Sequence, residues 1–389
     1  MTVYLDHAAT TPLRSEARDA WLAATEILGN ASSVHGAGQA ARRALEDARE
    51  RIARALGCDP IEVVLTSGGT ESINLALKGL WWSRPAGTDA VVLPDGEHHA
   101  TMEAVAWLVA HERAQVRHVG LDAHGAILGP AFADALPGAA AATAVVANNE
   151  VGTVNDVAAV AQAAADARTA LHLDAVGAVG CLDISFSRLR GRAVGPTGLV
   201  ALSVSGHKVG APVGTGALVV SRHAQLAPLI HGGGQQRGLR AGTQDVAGAA
   251  ALAVALECAV DERETEAARL VDLRERLIAG IHRDLPGAHL LGDPVRRLPG
   301  NVHILLPGIV GESMLFLLDQ EGIAASTGSA CQAGVAEPSH VVRALGFDER
   351  AARSVLRLTL GRTTTVQDVD AVVAALPDAY ARAVAASSL

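Results

Sequence analysis

Five positions in this sequence have side chains that could do chemistry: Lys208 in "SGHKVGAPVGTGAL", Asp174 in "HLDAVG", His98 in "EHHA", Arg357 in "VLRLTLG" and Cys331 in "STGSACQAG". Lys208 stands between an apolar run and a glycine-rich turn. Burial beside a sheet lowers a lysine's pKa, and a neutral amine there can form a Schiff base; a solvated surface charge is the ordinary alternative. Asp174 ends an apolar run, where an unpaired carboxylate is costly. A protonated pyridine nitrogen would satisfy it, and so would a helix cap or an ion pair. Arg357 lies within an apolar strand pattern and so requires a carboxylate of protein or substrate. His98 and His99 follow a strand end, as catalytic groups or as ordinary surface or core histidines.

Two glycine-rich segments could hold an anion. "SGGTES", residues 67–72, lies between a strand and a helix, so the N–H groups of Gly68, Gly69 and Thr70 could bind a phosphate. It equally suits a tight turn with Thr70 as the cap, and it is neither a Walker loop nor a dinucleotide fingerprint. Ser205 and His207 could add phosphate or ring contacts. "HGGGQQRGLRAGT", residues 231–243, brings Arg237, Arg240 and Thr243 onto a basic loop that suits an anion, a subunit contact or plain solvent. Of the four cysteines, Cys58 falls in a turn after a helix, Cys181 at a strand edge and Cys258 on an apolar helix face, all structural in character. Their wide spacing indicates neither a disulfide framework nor a zinc site, so reduced thiols are expected. Cys331 differs, because small residues surround it and leave its thiol lightly covered.

The elements that must position these groups alternate. Ala41, Leu45, Ala48, Ile52 and Leu56 share one face of residues 36–56, an amphipathic helix. Then "IEVVLT", "AVVLP", "TAVVAN", "LHLDA" and "LVALSV" alternate with helical runs, which argues an α/β fold with a mostly parallel sheet covered on both faces. The polar clusters follow directly on these strands. They would converge on one crevice at the carboxyl edge of the sheet. From about residue 245 a long helix leads into a smaller α+β region, with Cys331 on a loop after one of its strands.

The 389 residues fit two domains. With 49% hydrophobic and 19% charged residues the chain is globular, and a formal charge of −9 disfavours non-specific nucleic-acid or anionic-membrane binding. "MTVYLDHAATTPL" lacks a basic n-region, and the richest apolar run, "VAGAAALAVALECAV", is interrupted by Glu257 and too short to span a membrane. A cytoplasmic protein is expected.

The order of these segments resembles the group I cysteine desulfurases, pyridoxal-phosphate enzymes of the aminotransferase fold type I. The resemblance rests on "YLDHAATTP", "GNASSVHG", "SGGTESINLALKG", "EHHA", "NNEVGT", "HLDA", "SGHKVGAPVGTGAL", "HGGGQQRGLRAGT", "STGSAC" and "LRLTLGR". It implies a large cofactor-binding domain over residues 15–260 and a small domain from residues 1–14 and 261–389 carrying the cysteine. It further implies that Lys208 binds pyridoxal 5'-phosphate covalently and moves the substrate's Cα proton, that Asp174 keeps the pyridine nitrogen protonated, and that His98 stacks on the ring and assists proton transfer. Gly69, Thr70, Ser205 and His207 would hold the phosphate with Thr243 of a second subunit, so a homodimer is expected. Asn149 would contact the ring oxygen and substrate, and Arg357 would clamp the substrate carboxylate.

The implied reaction converts L-cysteine to alanine and leaves a persulfide on Cys331. The sulfur would pass to an acceptor protein, an iron–sulfur scaffold or a thiolation enzyme, with a transient iron–sulfur cluster at Cys331 conceivable and no resident metal. Related alternatives are a selenocysteine or C–S lyase and a weakened assembly paralogue. Three features depart from the family: Gly177 where glutamine bonds the ring oxygen, Ala31 where proline is usual, and "QAG" after the cysteine. The ending "AVAASSL" lacks the longer extension with which some members dock a scaffold.

Overall fold

The computed structural model describes residues 2–328 and 337–387, and between them only the backbone of Cys331–Gln332 and Val335–Ala336. Its centre is a seven-stranded sheet in the spatial order Val63–Thr66, Gly216–Val220, Gly198–Ser205, Ala170–Asp174, Ala141–Val145, Ala90–Pro94, Gln115–Val119. From Gly198–Ser205 to Gln115–Val119 the neighbours are parallel, while Gly216–Val220 runs antiparallel to both of its neighbours. The central strands are buried along their lengths, which is why they read as unbroken apolar runs.

The helix Gly36–Leu56 buries Ala41, Leu45, Ala48, Ile52 and Leu56, the face its periodicity predicts, and ends on Gly57 in the left-handed region at φ 64°. It packs against a helix of 39 residues, Val246–Asp284, capped by the Asp245 carboxylate accepting from Gly248 N–H at 2.8 Å. The first half of that helix, with Leu252 and Leu256, belongs to the apolar cluster against the large sheet. The second half, with Leu273 and Leu277, joins Leu5, Ile304, Leu356 and Val372 in a separate cluster. One helix thus anchors two cores. The second core covers the antiparallel strands Val355–Thr359, Asn301–Leu305 and His289–Leu290.

Strand Val3–Tyr4 pairs in parallel with Ile323–Ala324, and Asp6 bridges to Thr359, which carries the first residues across to the strand of Arg357. Cys331–Gln332 pairs antiparallel with Val335–Ala336, so the backbone at the cysteine is a short ladder rather than a plain loop. Its thiol lies outside the described residues. Among the described residues no helix is long and apolar enough to cross a membrane.

Candidate active site

The strands ending at Thr66, Pro94, Val145, Asp174 and Ser205 deliver their following residues to one edge of the sheet. There Gly69, Thr70, His98, Asn149, Asp174, Ser205, His207, Lys208 and Arg357 line a single cavity of about 520 Å³. Thr243 is exposed and does not line it. Another cavity, of about 610 Å³, is lined by Arg42, Arg49, Arg237 and Gln244 and contains none of these groups.

Lys208 ends the tight turn Gly206–Lys208 that follows the strand Gly198–Ser205. Gly206 is required there, because an added Cβ would stand 2.1 Å from Thr215 Oγ1. The Lys208 ammonium donates to the Ala8 carbonyl and, at 2.9 Å, to that of Ala9. Burial, and then the charge of Arg357, push its pKa down to about 8 against the opposing pull of Asp6 and Asp174. The neutral, nucleophilic amine therefore accumulates as pH rises through about 8. We expect the rate at which the apoprotein reacts with pyridoxal phosphate to rise with that midpoint; a stopped-flow profile still climbing towards 10.5, the ordinary lysine value, would contradict it.

Asp174 is buried at its strand end, its Oδ1 accepting from Val176 N–H at 3.0 Å. Burial raises its pKa to about 6, opposed by the Val176 N–H and Lys208, so a bound cation would complete its charge balance. The strand beneath is braced by His172, whose ring exchanges hydrogen bonds with Thr143 Oγ1 at 2.9 Å and Ser203 Oγ at 2.7 Å. His98 caps the helix His99–Glu112, its Nδ1 accepting from Ala100 N–H at 3.0 Å, which leaves Nε2 as the N–H donor. Burial, then Lys208 and the neighbouring histidines, push it down to about 4 and keep it neutral.

At the start of the helix Gly69–Trp82 the chain is too tightly placed for side chains. An added Cβ on Gly69 would meet Val176 Cγ2 at 2.8 Å, and one on Gly216 would meet Gly68 Cα at 2.6 Å. The first amides of a helix have no partner within it, and here they open beside the buried Ser205. His207 joins the rim through Nδ1 and Thr10 Oγ1 at 3.2 Å. An amine of lowered basicity, a buried acid and an amide cradle in one cavity fit an aldehyde, a pyridinium and a phosphate respectively, the three functional parts of pyridoxal phosphate.

Arg357 is buried, donating from Nη1 to the Asn149 carbonyl at 2.9 Å and from Nη2 to Asp6 Oδ1 at 3.0 Å. Its Nε is also buried and has no partner among the described residues, and Arg357 as a whole lines the cavity, which puts a guanidinium charge in its wall. Replacing Arg357 with lysine should raise KM for an amino-acid substrate roughly ten- to a hundredfold with a smaller change in kcat, read from steady-state kinetics. At Gly177 an added Cβ would meet only Ala147 O, at 3.7 Å, so this wall has room for a side chain.

Several participants carry no chemical signal of their own in the sequence. Ala8 and Ala9 act through carbonyls, and Asp6 pairs with a residue 351 positions away. Cys181, read as a strand-edge residue, lines the cavity, with its thiol pushed up to about 11 by burial and Glu266. Arg240 is bound to Glu71 at 2.9 Å and Arg237 to the Val220 carbonyl, so both have partners within this chain.

A family model described as aminotransferase class-V matches residues 3–372. The chain belongs to the class-V aminotransferases. Within them it is 46% identical over 390 residues to an IscS-like cysteine desulfurase of Mycobacterium tuberculosis strain ATCC 25618 / H37Rv, covering 98% of this chain and 96% of the relative. It is 38% identical to the cysteine desulfurase IscS of Methanosarcina thermophila, with 97% and 91% covered. A solved structure of a NifS-like protein superposes with a TM-score of 0.89 at 31% identity, over 98% of this chain and all of that one. A class-V aminotransferase of this type uses pyridoxal 5'-phosphate, the group the cavity fits.

Proposed function

We propose that this chain is a cysteine desulfurase: L-cysteine and the Cys331 thiol become L-alanine and a Cys331 persulfide. The observation that carries the reading is the single cavity lined by Lys208, Asp174, His98 and Arg357. Pyridoxal phosphate, when bound, supplies an electron sink for breaking bonds at the substrate's Cα and Cβ. Lys208 attaches the cofactor and carries the Cα proton, its lowered basicity suiting both tasks. Asp174 would pair with the ring nitrogen, His98 would cover the ring with its Nε2–H available, and Asn149 would meet the ring oxygen and substrate. The amides of Gly69 and Thr70, with Ser205 and His207, hold the phosphate. Arg357 fixes the substrate carboxylate, which aims its side-chain sulfur.

In the sulfur step the Cys331 thiolate attacks the sulfur of bound cysteine. The new S–S bond replaces the substrate's Cβ–S bond, and the former substrate gains the protons of alanine. Thr243 stands exposed away from this cavity, which suits a contribution to the second site of a homodimer. The two apolar clusters support domains at residues 15–260 and at 1–14 with 261–389. The product persulfide would serve a cytoplasmic acceptor of sulfane sulfur, an iron–sulfur scaffold or a thiolation enzyme.

The deciding experiment incubates the cofactor-loaded protein with L-cysteine and measures alanine together with the mass of the Cys331 peptide. Equal yields of alanine and of peptide with one added sulfur atom are expected in a single turnover. Alanine with free sulfide and no persulfide would point to a C–S lyase instead.

A further inference from the structure

Glu97, in the "EHHA" segment, is completely buried. Its Oε1 accepts the Val145 N–H at 2.6 Å. Its Oε2 has no hydrogen-bond partner among the described residues, and neither has the hydroxyl of Thr101, one helical turn along. That hydroxyl is near enough to favour the charged form of the acid, although it is not in bonding geometry. Val145 is the register partner of Asp174 on the adjacent parallel strand, and the next amide, Val146 N–H, donates to the Asp174 carbonyl at 2.8 Å. Two buried carboxyl groups therefore flank the end of one strand.

A second anion there would repel Asp174 in a dry setting and leave a bare carboxylate oxygen. Burial first, then the charge of Asp174, raise the pKa of Glu97 to about 8. The other ionisable groups around it do not supply a counter-charge. His98 next to it is pushed down to about 4. His340 uses Nε2 to donate to the Glu97 main-chain carbonyl at 2.9 Å, packs edge-on against His99, and turns Nδ1 towards Glu150 at 3.9 Å. Lys208 is bound to Ala8 and Ala9.

We propose that Glu97 is a positioning residue that works as a neutral carboxylic acid, pinning the end of the strand Ala141–Val145 and leaving Asp174 as the sole anion at the ring-nitrogen end of the cavity. The proposal rests on the assignment of Asp174 to the ring nitrogen. Its consequence is that the proton matters more than the charge: an amide of the same shape can replace the acid, whereas a truncated side chain abandons the Val145 N–H.

The test compares wild type with Glu97→Gln and Glu97→Ala. Thermal unfolding of the apoproteins against pH reads the protonation state without cofactor. A native pKa raised from 4.5 to about 8 means that the wild type holds its full stability below 4.5 and loses it as pH rises through about 8. The melting temperature of Glu97→Gln should therefore gain on wild type steadily across that interval. In the loaded enzymes, Glu97→Ala should lose about tenfold or more in kcat/KM and change the pH dependence of the cofactor's absorption band, and Glu97→Gln should recover most of both. A pH-independent melting difference, or a Glu97→Gln protein as impaired as Glu97→Ala, would overturn the proposal. Asp174→Asn separates the two assignments: an unaltered absorption band in that variant defeats the role of Asp174, whereas the difference between the wild-type and Glu97→Gln apoprotein melting profiles needs no cofactor and tests Glu97 whatever Asp174 pairs with.

Discussion

Lys208→Ala should reduce alanine formation from L-cysteine roughly a thousandfold or more, because it removes the group proposed both to anchor the cofactor and to act as the base at Cα. No neighbour can substitute. The sequence contains two lysines, and the other, Lys78, stands over the ring of Trp107 at 4.4 Å on the helix Gly69–Trp82. This makes the measurement clean: after hydride reduction of the loaded protein, the cofactor's mass should appear on the Lys208 peptide of wild type and on no peptide of the variant. The fold should survive, since the side chain gives up only its bonds to the Ala8 and Ala9 carbonyls. Retained turnover in the variant would mean that another group attaches the cofactor.

Cys331→Ala should abolish the persulfide and lower alanine formation roughly a hundredfold or more while leaving the cofactor spectrum intact. The other three thiols are poor nucleophiles near neutrality: burial pushes Cys58 up to about 12 and Cys181 up to about 11, and raises Cys258 as well. Position agrees with chemistry. Ser326 and Gly328 line the cavity, and Ser326 is held by a pair of backbone hydrogen bonds to Arg357. Three residues of chain span at most about 11 Å, so the Cys331 backbone lies within that distance of Gly328 at the cavity wall. On the return side, the buried Ser339 donates to Glu150 Oε2 at 2.5 Å. Cys181→Ala is the informative control, because Cys181 also lines the cavity. Persulfide formation that follows Cys181 rather than Cys331 would reassign the acceptor thiol.

The parallel sheet was legible because strands buried on both faces cannot alternate, so "VVLT", "AVVLP" and "LHLDA" stand out as apolar runs ending in polar residues. The helix Gly36–Leu56 was equally plain, since its apolar face repeats every three to four residues. The residues that support the chemistry were not. Glu97 and His172 stand unmarked inside "EHHA" and "HLDA", beside more conspicuous residues. Cys181 read as a strand-edge thiol, because a turn folded under the cavity has no periodicity to mark it.

The sequence by itself determined the kind of chemistry and the edge of the sheet where it happens, since both depend on residue types placed directly after local strands. Tertiary structure decided the electrostatics. Asp6 reaches Arg357 and the Ala8 and Ala9 carbonyls reach Lys208 only because the strand Val3–Tyr4 crosses to pair with Ile323–Ala324. The protonation of Lys208, Asp174 and Glu97 likewise follows from how deeply the assembled layers bury them. Desolvation and charge fall off with distance in space rather than along the chain, so they exist only once the fold has closed.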